Sequence, residues 1–200
     1  MRYRNPVSII TKNALILRDL DILEPLAKLQ LVNVAISITT LDENLRLLME
    51  PRTVTAAQRF RTMRALYQAG VPVGIMTAPI IPGLTNHEIP KLIQQAANEG
   101  ACWAAYTVVR LNGALEPLFV DWVTQTFPDR ADRILHQIAA CHGGQLKDSR
   151  FTTRMTGEGV YAQHIAQLHR IACQKYLADR QPPQLTTALF RPKGQLGLFD

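Results

Sequence analysis

Cysteine is scarce in this chain. There are three, Cys102, Cys141 and Cys173, odd in number and far apart. That excludes a disulfide framework and points to a reducing, cytoplasmic setting. No apolar run approaches the roughly 18 residues a membrane span needs. The charged start, Met1-Arg2-Tyr3-Arg4, passes directly into a strand-like segment with no signal-peptide core. No internal repeat, Walker-type loop or Ser/His/Asp arrangement is legible. His164, His169 and Cys173 share a helical segment, but His164 lies well around the helix from His169, and no compact paired-ligand motif forms with Cys141-His142.

What is present is an ordinary globular balance: 200 residues, 47% hydrophobic and 19% charged. This is enough for a real core. The net charge of +6 permits a polyanionic partner such as nucleic acid, although the basic residues are spread along the chain.

The first half alternates two periodicities. Val7 to Thr11, Val32 to Thr39, Val71 to Ala78 and Trp103 to Leu111 read as strands. Between them lie helical stripes. The first starts at Leu15 or Asp19 and carries Ile22, Leu23, Leu26 and Leu29. The second is capped by Thr55, carries Phe60, Met63, Leu66 and Tyr67, and ends at Gly70. The third is capped by Asn86, carries Ile89, Leu92, Ile93, Ala96 and Ala97, and ends at Gly100. Strand–helix alternation of this kind implies a parallel sheet covered by helices. Beyond Leu111 the strands stop. Leu118 to Thr126, Asp129 to Ala140 and Tyr161 to Leu177 read as helices, and from Asp179 an extended tail begins. The expected organisation is residues 1–113 as α/β barrel, 114–178 as a helical segment and 179–200 as tail.

Side chains alternate across a strand. Val34, Ile36 and Ile38 form a bulky face suited to helices, whereas Ala35, Ser37 and Thr39 form a small face ending in hydroxyls. Lys12 ends the first strand, Thr77 lies near the end of the third, and Arg110 ends the fourth. Parallel βα folds gather ligand groups at the carboxyl ends of their strands. Polar tips on one rim therefore predict a ligand site. The loop "MTAPIIPGLTN" stands at the same rim, stiffened by two prolines, with Gly83 tolerant of positive φ and with Ile80 and Ile81 able to lie against a flat ring.

The segments "ITKNALILRDLDIL", "SITTLDENLRLLMEPR", "GVPVGIMTAPIIPGLTN", "VVRLN", "RMTGEGVY" and "GQLGLF" resemble, in order, the radical S-adenosylmethionine (SAM) superfamily, and within it the spore-photoproduct-lyase-like branch. The resemblance implies a partial (β/α)₆ TIM-type barrel, here incomplete with about four parallel strands, binding SAM and a [4Fe–4S] cluster for lyase-like chemistry, with DNA repair as the associated process. It implies that Lys12 contacts the methionyl part of SAM, with Asn13 departing from the family's serine. It also implies that Ser37 binds the ribose and that Ile80 and Ile81 lie along the adenine, with Thr39 and Arg110 counted in the same site. Arg18, Glu50 and Arg52 match family positions as substrate or structural residues.

The family's C-x₃-C-x₂-C cluster loop does not occur among these 200 residues. The expectation is therefore a fragment of a radical SAM enzyme, inactive alone, whose partner is the missing N-terminal half of the barrel. The alternative is a non-catalytic module that docks a bacterial sliding clamp through Gln195, Leu196, Leu198 and Phe199, a peptide similar to the clamp-binding motif.

Overall fold

The computed structural model describes residues 3–191. Four strands, β1 (Val7–Thr11), β2 (Val32–Ser37), β3 (Val73–Ile80) and β4 (Ala104–Val108), form one parallel sheet in the order β1-β2-β3-β4. Among the described residues seven α-helices accompany them. This is the expected incomplete α/β barrel.

β1 is followed by a 3₁₀ turn over Ala14–Asp19 and then by α1 (Leu20–Lys28). The Asn13 side chain accepts from the Leu15 amide and caps that turn. α2 (Glu43–Met49) is capped by Asp42, which accepts from the amides of Asn44 and Leu45. α3 (Ala56–Gln68) is capped by Thr55, as the sequence predicts. Gly70 and Gly100 take φ of +73° and +96° just past α3 and α4 (Ile89–Asn98), where a side chain would be strained. Phe60, Met63 and Leu66 from α3, with Leu92, Ile93 and Ala96 from α4, pack on the bulky sheet face made by Val34, Ile36, Val73 and Ile75. Each large side chain buried there contributes up to about 1.5–3 kcal/mol. α7 (Gly159–Tyr176) lies along α4 and closes the same layer.

α5 (Leu115–Thr126) and α6 (Ala131–Ala140) build a second core with Ile81, Leu84, Val109 and Leu111. The segment after α7 runs back beneath the sheet. Arg180 donates to the Ala101 carbonyl at 2.6 Å, the Thr186 amide to Gln30 at 3.0 Å and the Arg191 amide to Tyr3 at 2.8 Å. Up to residue 191 these bonds hold it along the sheet, with its side chains exposed or half-buried.

Four sequence expectations change. Tyr67 is 59% exposed, because its ring lies over Gly100 instead of entering the core. Ile22 is likewise exposed, since the short 3₁₀ turn rotates α1 and leaves only Leu23 fully buried on it. Asn86 does not cap α4. Its side chain accepts from the Gly83 amide at 2.8 Å and pins the loop, and α4 begins at Ile89 with Pro90 in its first turn. Thr77 does not reach the rim, because β3 continues three residues further and the hydroxyl donates to the Ala105 carbonyl at 3.3 Å.

On the small sheet face the Trp103 indole lies flat against Gly74. An added Cβ at Gly74 would stand 2.3 Å from the ring. Gly74→Ala is expected to displace Trp103 and cost about 1–3 kcal/mol. Denaturant midpoints, with tryptophan emission as a second readout, check this; an unchanged midpoint would mean the ring has room.

Candidate functional site

The carboxyl ends of the strands open onto a cleft of about 590 Å³ between α2 and α5. Lys12 just past β1, Glu50 from the turn after α2, Ile81 from the loop after β3, Thr107 from β4 and Arg110 just past it line the cleft. The opposite wall is apolar: Leu48 and Met49 from α2, then Leu115, Leu118, Phe119 and Trp122 from α5, with Met155 at the mouth. Phe119 and Trp122 are in ring contact, with centroids 5.3 Å apart.

Glu50 is the polar centre of this end of the barrel. One carboxylate oxygen accepts from the Lys12 ammonium and from the Thr39 hydroxyl, the latter at 3.1 Å. The other accepts from Arg59 at 2.8 Å. Arg59 is 2% exposed and donates also to the carbonyls of Ser37 and Val54 and to the Thr53 hydroxyl. Arg46 braces the turn by donating to the carbonyls of Glu50 and Thr53. Burial by itself would raise the Glu50 carboxyl, but the hydrogen bonds from Lys12 and Arg59 outweigh it and hold the group below its ordinary value.

The end of β4 is fixed from outside. His142 is buried, with Nε2 2.8 Å from the Val109 carbonyl and Nδ1 3.2 Å from Asp148. The Arg150 guanidinium and the His142 ring hold the Asp148 carboxyl far below the usual carboxylate range despite its burial. The amides of Val108 and Leu111 donate to the carbonyls of Met155 and Leu146, and Arg110 Nη1 lies 3.0 Å from Met155 Sδ.

Of the residues singled out in sequence, Lys12, Glu50, Ile81 and Arg110 meet in the cleft. Ser37 and Thr39 are buried beside it, and the Ser37 hydroxyl donates to the Ala78 carbonyl at 3.1 Å. Ile80 turns into the core beneath the helices. Arg18 stands on the exposed 3₁₀ turn, paired with Asp19, and Arg52 is exposed in the turn after α2; neither lines the cleft. Gln195, Leu196, Leu198 and Phe199 lie outside the described residues.

Two features were missed in sequence. Arg59 sits on the buried stripe Ala56-Arg59-Phe60-Met63, and a cation there demands a buried acid. Leu115, Leu118, Phe119 and Trp122 follow helical spacing, a signal that was readable although its partner was not.

The thiols do not fit an iron–sulfur cluster. Cys102 precedes β4, Cys141 is buried at the end of α6 and Cys173 lies on α7. Burial raises all three, Cys141 to about 11, against the thiolate form that metal ligation requires. Among the described residues no group of three or more His, Cys, Asp and Glu is arranged to hold a metal ion. No described helix is long and apolar enough to cross a membrane.

An open half-barrel of parallel strands, helix-covered on one face, with cations and a carboxylate at its strand tips, defines a class of α/β ligand-binding domain. The comparisons make it specific. Residues 2–96 match the family model of the Radical SAM superfamily. The chain is 31% identical over 130 residues to uncharacterized protein Rv2578c of Mycobacterium tuberculosis, covering 64% of this chain and 38% of that protein. It is 32% identical over 85 residues to uncharacterized protein MJ0683 of Methanocaldococcus jannaschii, covering 42% of this chain and 32% of that protein. In fold it is similar to a spore photoproduct lyase mutant solved with bound AdoMet and dinucleoside spore photoproduct. That match has a TM-score of 0.57 and 17% identity, and covers 90% of this chain and 51% of the lyase chain. The chain thus spans well under half the length of the curated relatives it matches.

The Glu50 carboxylate is ionised in the folded state at a pH where the unfolded chain already binds a proton. Its stabilisation is therefore present at neutral pH and is lost as pH falls below the ordinary value near 4.5 and through the lowered folded value. Glu50→Ala is expected to cost about 3–5 kcal/mol at pH 7, because Arg59 is left buried and unpaired. The gap between wild type and variant in urea unfolding should hold constant above about pH 5 and narrow as the pH falls below 4.5. A gap independent of pH would show that charge is not what stabilises this centre.

Proposed function

We propose that this chain is the SAM-holding, carboxyl-terminal part of a lyase-like radical SAM barrel, and that it generates no 5′-deoxyadenosyl radical by itself. The observation that carries the reading is the meeting of Lys12 and Arg110, from just past the two outermost strands, in one cleft with Ile81. Its size suits a nucleoside-sized ligand. In this reading Lys12 takes the carboxylate of the methionyl part, Ile81 and the wall of α5 take the flat adenine, and the buried Ser37 and Thr39 keep the strand tips in place. The cluster that supplies electrons to SAM in the superfamily rests on thiolates that this chain does not bring together. A polypeptide bearing the C-x₃-C-x₂-C loop is the partner this reading requires.

Two features support such a partner. β1 pairs with β2 alone among the described residues, and Ile10 on it is 61% exposed. An unpaired strand edge accepts a further strand through its backbone groups. The substrate class we propose is nucleic acid, because Arg110 lies in the cleft and the chain is net basic.

Equilibrium dialysis of the full chain against labelled SAM tests the pocket. Saturable binding is expected, weakened about tenfold by Lys12→Ala, the loss of one hydrogen bond to a charged group. After reconstitution with iron and sulfide, the chain alone should yield no 5′-deoxyadenosine under reducing conditions. Catalytic 5′-deoxyadenosine from the chain alone, or SAM binding untouched by Lys12→Ala, would overturn this reading.

A further inference from the structure

We infer that Glu50 is a positioning residue. It fixes the Lys12 ammonium at the cleft wall as a recognition point for a ligand's carboxylate, and so sets a preference for SAM over analogues that lack that group. The inference rests on the SAM-holding reading of the cleft and adds to it a residue that acts through Lys12.

Both oxygens of Glu50 are saturated. One Glu50 oxygen accepts from Lys12 and Thr39, and the other from Arg59 and, at 3.4 Å, from Thr53. The carboxylate is therefore anchored to the tip of β2, to its own turn and to α3, and its side chain is only 11% exposed. Arg59 is consumed by Ser37, Val54, Thr53 and Glu50, and at 2% exposure it cannot meet a ligand. Lys12 differs. Its side chain is one-third exposed and lines the cleft. An ammonium has three N–H donors, and Glu50 takes one.

A lysine stem is flexible and fixes a charge poorly without a partner. Here the rigid carboxylate does what the stem cannot. The three groups Lys12, Arg59 and Glu50 together carry one net positive charge, which matches one incoming carboxylate. If Glu50 served only to neutralise Arg59, its bond to Lys12 would be dispensable for recognition.

The test compares SAM with decarboxylated SAM, which keeps the sulfonium, the amine and the adenosine. Dissociation constants are measured by equilibrium dialysis for the full chain, for Glu50→Gln, for Lys12→Ala and for the double variant. Wild type is expected to prefer SAM by about tenfold. Each single variant should reduce that preference to within about twofold, and the double variant should lose nothing more, as coupled residues do. Thr39→Val loosens the carboxylate while keeping its charge. It should cut the preference about threefold, a partial loss, and it serves if Glu50→Gln does not fold.

Equal weakening of both ligands by Glu50→Gln, or losses that multiply in the double variant, would reduce Glu50 to a structural ion pair. Equal wild-type affinity for the two ligands would overturn this inference alone. Binding of neither ligand by wild type would overturn the reading of the cleft with it.

Discussion

The tips of β1 and β2 in this half-barrel are held together by one largely buried carboxylate. Glu50 lies outside the sheet, yet it bonds the residue after β1, a residue just past β2, and an arginine on the inner face of α3. Taking an arginine and a glutamate out of water is expensive, and their attraction repays the cost only when every donor and lone pair is met. That condition is nearly met here: four of the five Arg59 N–H donors reach carbonyl, hydroxyl or carboxylate partners, through Nε, Nη1 and Nη2. The turn from Glu50 to Thr53 is thereby fixed, and with it one wall of the cleft. Arg46, almost wholly buried on α2, secures the same turn through its backbone carbonyls.

Much of the fold was legible because its elements are buried in repeating ways. The β2 pattern, bulky at Val34, Ile36 and Ile38 and small at Ala35 and Ser37, matched a strand with helices on one side. Gly70 and Gly100 ended helices because the positive φ at those positions leaves few alternatives to glycine. The misreadings share a cause. Tyr67 and Ile22 have the right spacing for the core, but spacing does not say where the stripe ends, and a ring can instead cover a glycine such as Gly100. Asn86 has the chemistry of a cap and spends it on the Gly83 amide, since a short 3₁₀ segment separates it from α4.

The site was legible in its charges and less so in its walls. Lys12 and Arg110 were found because a cation at a strand tip has few structural uses. Glu50 was noted without a role, since its partners stand 38 and 9 positions away in sequence. The apolar wall of α5 could not be read as a wall: Leu115 and Leu118 look like core residues, and only the tertiary structure shows them 58% and 66% exposed beside a cleft. Ser37 shows the opposite error in emphasis. Its hydroxyl ties β2 to β3 through Ala78, so its contribution in this structure is to the rim's geometry.

Register makes the arrangement demanding. Thr11 stands opposite Ile36, so Lys12 follows at the level of Ser37, and Thr39 emerges just beyond. Side chains alternate, so a slip of one residue between β1 and β2 would send Lys12 to the helix face and bring a hydrophobic side chain to the rim. β1 is the edge where such a slip is least opposed, since it has a strand neighbour on one side only among the described residues. At the other edge, β4 is clamped by the backbone of Leu146 and Met155 and by His142. The Lys12–Glu50 pair is the polar contact that distinguishes the correct register at the open edge. The same contact that orients the ammonium toward the cleft therefore also selects the alignment of the strand that carries it, so the register of β1 and the geometry of the site are set by one interaction.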